Sequence, residues 1–296
     1  MKTSCQMMKR ILAAILLLHT FSAKAQYNNE WIDYSKPYYK FKVGAPGLYR
    51  IPQSLLQSAG LSGISADQFQ LWRNGQQVPV YSSVPSGLLG SADFLEFYGQ
   101  LNDGKPDDIL YADPKAQHAD RYSLFSDSSV YFLTYTTPGT PSRLSDAANN
   151  VAGNLLPPDP FFTYTYSRFF RDRINPGRAY VIGEYVYSSS FEFGEGWASR
   201  DVYPYLPVME ALPNLYPFAG GARPSFHLIT SGNAQNLRNL SAYVNGEQVV
   251  TKDMNYFAGL DTTVGFSTGN LGAATDSVKV FNLASVASDR MVVHGY

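Results

Sequence analysis

DFLEFYGQLNDGKPDDILY, residues 93–111, sets an aromatic strand against a turn crowded with Asn, Asp, Gly and Pro. With side chains alternating along a strand, Phe94 and Tyr98 fall on one face and Leu95 and Phe97 on the other. Both faces then have something to bury, as in an inner strand of a sandwich. Asn102-Asp103-Gly104 supplies positive-φ positions for a tight turn, and Lys105-Pro106 keeps the strand from resuming at once. A new strand is expected near Ile109.

The same character runs through the chain. Tyr (22) and Phe (18) are abundant beside 24 Gly and 18 Pro, and only 16% of the 296 residues are charged. Such a composition favours strands and tight turns over helices, and the length suits one large or two modest domains. The expected class is all-β.

Lys9 and Arg10 precede the apolar run Ile11 to Leu18, and Ala23-Lys24-Ala25 offers small residues for cleavage, so residues 1–25 read as a signal peptide. The run is too short to span a bilayer. Cys5 lies ahead of it, whereas a lipoprotein needs its cysteine directly after the cleavage point. Cleavage would remove four basic residues, Lys2, Lys9, Arg10 and Lys24, and no acids, leaving 19 basic against 24 acidic residues and a net charge of −5. Cys5 is the sole cysteine. The mature chain therefore has no disulfide, thiolate metal site or cysteine nucleophile, and its acidic balance and lack of Lys/Arg clusters argue against a nucleic-acid partner.

Residues 26–150 are expected to form an N-terminal β-rich domain. Tyr39, Phe41 and Val43 alternate with Lys40 and Lys42, the period of a half-buried strand. Gly47 to Ile51 follows, then a short helix from Pro52 closed by Gly60. Asn74-Gly75 joins Phe69–Arg73 to Gln76–Tyr81 in the strongest two-residue hairpin signal, and Val130 to Tyr135 reads as a strand buried on both faces. From Thr136 to Pro160 the composition shifts to Pro, Gly, Ser, Asn and Ala, which places the domain boundary there.

Residues 151–296 are expected to form a second, sandwich- or jelly-roll-like domain. Its strands are sought in Phe161–Arg173, Ala179–Tyr187, Ser190–Trp197, Phe226–Thr230, Ala242–Val244, Gln248–Val250 and Val278–Leu283, with Asn245-Gly246 joining a hairpin. Asp201 to Pro224 reads as a loop. Ser288 to His294 reads as a strand just begun, which suggests a domain cut short at its C-terminal end.

Candidate chemistry is sparse. Asn102, Asp103, Asp107, Asp108 and Asp113 put hard oxygen ligands into a short segment, which is what a Ca²⁺ loop needs. Their spacing misses the EF-hand pattern, since Lys105-Pro106 interrupts it and no closing Glu follows. The alternative is an Asx-rich turn that uses those side chains locally. His118, His227 and His294 are scattered, His227 opposite Phe226 and Leu228 on its strand, and no G-x-S-x-G elbow is present. Trp72, Trp197 and the tyrosines of Thr163 to Tyr187 are candidate sugar-stacking platforms, although strand aromatics are more often core.

The patterns DFLEFYGQ, NDGKPD, LYADP and SLFSDSSVYFLTY, with GLYRI, LLQSAG and SSFEFGEGW, resemble the region upstream of the catalytic domain in gingipain-like cysteine peptidases of the Bacteroidetes, in the style of PorU-type sortases of the type IX secretion system. The resemblance is densest from Gly47 to Tyr135. It implies an exported, non-catalytic region at the periplasm, outer membrane or cell surface, whose partners are its own C-terminal peptidase domain and outer-membrane secretion components. It also implies a full-length endopeptidase or transpeptidase working through a Cys that a His activates. Neither residue falls within this sequence. The rival expectation is a free-standing secreted adhesion or carbohydrate-binding protein.

Overall fold

The computed structural model describes residues 29–136, 140–148, 153, 157–177, 179–181, 185–187, 194–213, 215–234, 237–254, 258–272, 275–283 and 289–296. The expected signal peptide and Cys5 lie outside them. The fold is all-β, built from antiparallel sheets, and the chain divides into two compact units.

The first unit takes 47–99 and 130–145 together with the chain before Val43. Its strands are β1 (Tyr39–Val43), β2 (Gly47–Pro52), β3 (Phe69–Arg73), β4 (Gln76–Val78), β5 (Tyr81–Ser82), β6 (Phe94–Gly99) and β7 (Ser129–Tyr135), with one short helix, α1 (Gln53–Ser58), after β2. They form sheets of order β1-β7-β3-β4 and β2-β6-β5. Their inner faces meet through aromatic rings: Phe97 of β6 lies 5.3 Å from Tyr131 of β7 and 5.8 Å from Phe41 of β1. Asn74 (φ 48°) and Gly75 (φ 76°) make the expected hairpin turn between β3 and β4. Gly60, at φ 75°, ends the helical turn as expected.

The strand β6 is central in its sheet, but it buries one face, not two. Leu95 and Phe97 are buried, whereas Tyr98 is 52% exposed. Phe94 is covered by the Arg50 guanidinium, 3.7 Å above its ring, and Arg50 also pairs with Glu96 at 2.9 Å. The expected strand near Ile109 is instead a 3₁₀ turn over Lys105–Leu110, with Ile109 exposed. Pro106 lacks an amide hydrogen for a ladder, and the Asp side chains favour local turns.

The second unit takes 43–46, 100–129 and 146–296. The division is thus not a single cut near residue 150. The segment 100–129, which has no strand before Ser129, leaves the first unit because its buried side chains pack with the second. The strands here are β8 (Arg173–Pro176), β9 (Ala179–Val181), β10 (Tyr185–Tyr187), β11 (Glu195–Ala198), β12 (Val208–Pro213), β13 (Ser225–Gly232), β14 (Arg238–Val244), β15 (Glu247–Met254), β16 (Gly259–Gly265), β17 (Thr275–Asn282) and β18 (Met291–Gly295).

Two sheets, β12-β17-β14-β15 and β16-β13-β18, share one apolar core. Phe226, Leu228, Met291 and Val293 enter it from one sheet, and Leu240, Ala242, Val278 and Val280 from the other. On its outer side β18 is bonded to the segment around Phe169: Arg168 and Tyr296 exchange both backbone hydrogen bonds, at 2.8 and 2.9 Å. Asn245 (φ 48°) and Gly246 (φ 93°) form the second expected hairpin turn. The edge strand β12 falls inside the stretch expected to be loop. The expected strand over Phe161–Arg173 is realised only in its last part: β8 begins at Arg173, and the only other pairing is an isolated bridge at Phe169.

Candidate functional site

The Asp-rich segment of residues 100–129 forms a strap laid on the second unit, and its side chains serve the strap's own turns. Gly104, at φ 77°, admits no side chain: a Cβ there would lie 2.6 Å from the Tyr122 carbonyl oxygen. Asp107 is only 7% exposed and is satisfied by the strap's far end, accepting from Ser123 Oγ at 3.2 Å and from the Leu124 amide at 2.9 Å. Asp113 accepts from the Lys115 amide at 3.0 Å, Asp103 from the Lys105 amide and Asn102 from the Gly104 amide, both at 3.4 Å. Asp108 contributes its backbone carbonyl to the Tyr111 amide.

Four of the five candidate calcium ligands, all but Asp108, thus accept hydrogen bonds through their side chains within the strap. Among the described residues no three His, Cys, Asp or Glu side chains converge in a way that would hold a metal ion. Local competition accounts for three of them, since Asn102, Asp103 and Asp113 each accept from the amide two residues on.

What the structure does assemble lies where the strap meets the sandwich. Tyr111 donates to the Glu195 carbonyl at 2.9 Å, and Trp197 Nε1 donates to the Ser123 carbonyl at 2.9 Å. Burial, with the Glu195 and Asp107 charges behind it, pushes the Tyr111 phenol up. Arg171 crosses the junction, pairing with Asp127 at 2.6 Å and covering the Tyr122 and Trp197 rings. At its centre His118, on the strap, meets His294, on β18, with ring centroids 5.5 Å apart. The spacing of these two histidines in sequence carries no hint of this.

His294 is fully buried. Its Nδ1 lies 2.9 Å from the Trp197 carbonyl, which can only accept, so Nδ1 carries the proton. Its Nε2 therefore accepts from the Ser231 hydroxyl at 2.8 Å. Burial first, and then the His118 ring, pushes the His294 imidazole down to about 3, against a smaller pull from the Trp197 bond. His118 is pushed down by burial, with the Asp261 charge opposing.

This Ser–His pair has the hydrogen-bond polarity of a serine hydrolase dyad. Yet Ser231 and His294 are both 0% exposed. With no substrate access and a carbonyl in place of the orienting carboxylate, the pair is a packed polar contact. His227 is the bland surface histidine expected from its strand position, paired with Asp261 at 2.6 Å.

The expected sugar-stacking tryptophans are also engaged. Trp72 stacks on Trp31 at 5.3 Å, and Trp197 is held by the strap. The side chains of Tyr180, Tyr185 and Tyr187 lie outside the described residues. Exposed aromatics do surround a groove of about 1330 Å³ in the second unit, where Phe161 stacks on Phe218 and Tyr164 and Tyr216 are solvent-facing. No described helix is long and apolar enough to cross a membrane, which says nothing of strands.

No protein-family model and no curated protein matches the chain. Among solved structures it is similar to dimeric latent PorU from Porphyromonas gingivalis, at 12% identity and a TM-score of 0.46, over 87% of this chain and 24% of that one. The chain thus spans about a quarter of that protein's length. It is also similar to a CBM36 carbohydrate-binding module in complex with calcium and xylotriose, at 10% identity and a TM-score of 0.28, over 44% of this chain and 97% of that one. A third likeness is to tandem CBM51 modules of a family 98 glycoside hydrolase from Streptococcus pneumoniae, at 10% identity and a TM-score of 0.23, over 86% of this chain and 79% of that one. All three stand below a TM-score of 0.5, and nothing about this chain's activity follows from them.

Proposed function

We propose that this chain is the exported, non-catalytic β-rich region of a gingipain-like cysteine peptidase, a sortase of the type IX secretion type. The residue patterns from Gly47 to Tyr135 and the signal-like N-terminus support that reading, and an all-β fold agrees with it. The observation that carries the non-catalytic part is that Cys5, the sole cysteine, lies within the signal-like stretch, so the mature chain supplies no cysteine nucleophile. In this reading the region folds, restrains or docks the peptidase that follows it, and the complete protein cleaves secreted cargo through a Cys–His dyad.

Two measurements test it. The purified chain incubated with casein and fluorogenic peptides is expected to release no product, and Ser231→Ala to change nothing; hydrolysis lost in that variant would overturn the non-catalytic reading. Expression of the peptidase domain without this region is expected to lower its solubility or release its activity, and identical behaviour with and without it would count against a folding or latency role.

The exposed aromatic groove favours one rival, a secreted carbohydrate-binding protein that stacks sugar rings on Tyr164 and Tyr216. Retention on a glycan array, lost in Tyr164→Ala, is the result that would promote it.

A further inference from the structure

The strap carries no long-range strand pairing, so its attachment rests on side chains and a few backbone groups. Those contacts include Tyr111 and Trp197 bonding across the junction, Arg171 over two rings and paired with Asp127, and Ala119 against Gly196, where a Cβ would come within 3.1 Å of it. The two buried imidazoles meet in the middle, His118 at 5% and His294 at 0% exposure. We propose that the His118–His294 contact is an acid-sensitive latch: the strap 100–129 stays docked on the sandwich at neutral pH and lifts from it as the pH falls below about 6, where unburied imidazole takes up a proton.

The chemistry follows from what surrounds the two rings. His294 spends both nitrogens inside the sandwich, donating to the Trp197 carbonyl and accepting from Ser231. A second proton must sit on Nε2, so it breaks the Ser231 bond and buries a charge with no carboxylate against it. The charged group acting on His118 is Asp261 of β16, which already faces His227 at 2.6 Å. Tyr111 and the Glu195 backbone bond to each other, and Asp107 is occupied by Ser123 and Leu124. Charging either ring also sets it against its neighbour. Lifting the strap hydrates His118 and separates the pair, so the open form takes the proton more readily and acid favours it.

The sign is fixed by the direction of both shifts. A histidine held below its ordinary value stabilises the docked form fully above about pH 6.5 and loses that contribution as the pH falls. For one histidine that stays neutral when docked, going from pH 7 to pH 5 raises the opening constant by roughly 25-fold.

Hydrogen exchange of the whole chain at pH 7 and pH 5, corrected for intrinsic rates, tests this. Amides of 104–124 are expected to lose protection by roughly that factor and to exchange ahead of β13, β14 and β17 at both pH values, and His118→Leu is expected to flatten the strap's pH response. A pH-independent strap, an unchanged response in His118→Leu, or strap and sandwich strands exchanging through one common opening would overturn the latch. Should that variant not fold, imidazole NMR of the wild type decides: neither His118 nor His294 should protonate while the strap is protected, and protonation of either in the docked form would refute the proposal.

Discussion

Gly104 shows how a single residue fixes the strap. Its φ of 77° suits glycine, and the Tyr122 carbonyl leaves no room for a methyl group. Gly104→Ala is expected to cost about 1–3 kcal/mol, read as a lower urea midpoint and faster exchange in the strap. A variant of unchanged midpoint would remove the steric argument. At Ser231 the cost is polar: Ser231→Ala leaves His294 Nε2 buried without its donor, a loss of about 1–3 kcal/mol by denaturant titration. Stability equal to wild type would mean that another group or a water replaces the hydroxyl. Residue-scale reading of the Asp cluster went half way. Turn chemistry correctly flagged Gly104, but the same short side chains that looked like calcium ligands were capping amides. Asp107 finds its partners at Ser123 and Leu124, which no spacing rule links to it.

The elements divide by whether their signal is local. Both Asn-Gly hairpins were legible because a type I′ turn needs positive φ at two adjacent positions, and few dipeptides supply it. Gly246→Val is accordingly expected to weaken the β14–β15 hairpin by about 1–2 kcal/mol, measured as a lower melting temperature, since a β-branched residue resists the left-handed region. No change would show that the turn relaxes at no cost. The strand β12 was hidden by the prolines at its ends, Pro207 and Pro213, which suit an edge strand as well as a loop. The strand β16, GLDTTVG, carries little apolar alternation because most of its side chains are only half-buried or exposed. In β6 the aromatic content suggested two buried faces, but Arg50 covers Phe94, a contact from 44 residues away in the chain.

On the scale of the whole molecule, the fold class was legible from composition and period, whereas the grouping of its parts was not. Residues 100–129 belong with the second unit, where Tyr111 bonds to Glu195 and His118 meets His294, and burial of such polar groups depends on partners far along the chain. The two histidines also set an overall pH dependence. The imidazole of His294 is held at about 3 when folded, below the usual value of an unfolded histidine, so the unfolded chain binds the proton first as the pH falls. Stability of the second unit is expected to be constant above about pH 6.5 and to decline by a few kcal/mol towards pH 4, with His118 adding in the same direction. A urea midpoint that stays level across that range would contradict the neutral, buried state of the pair.

The proposal that this is the non-catalytic region of a gingipain-like peptidase is tested most directly by reading the gene onward from codon 296. The account predicts that the frame continues into a caspase-like α/β domain in which a histidine precedes a cysteine. A stop codon in that position, or a following domain without such a pair, would contradict it.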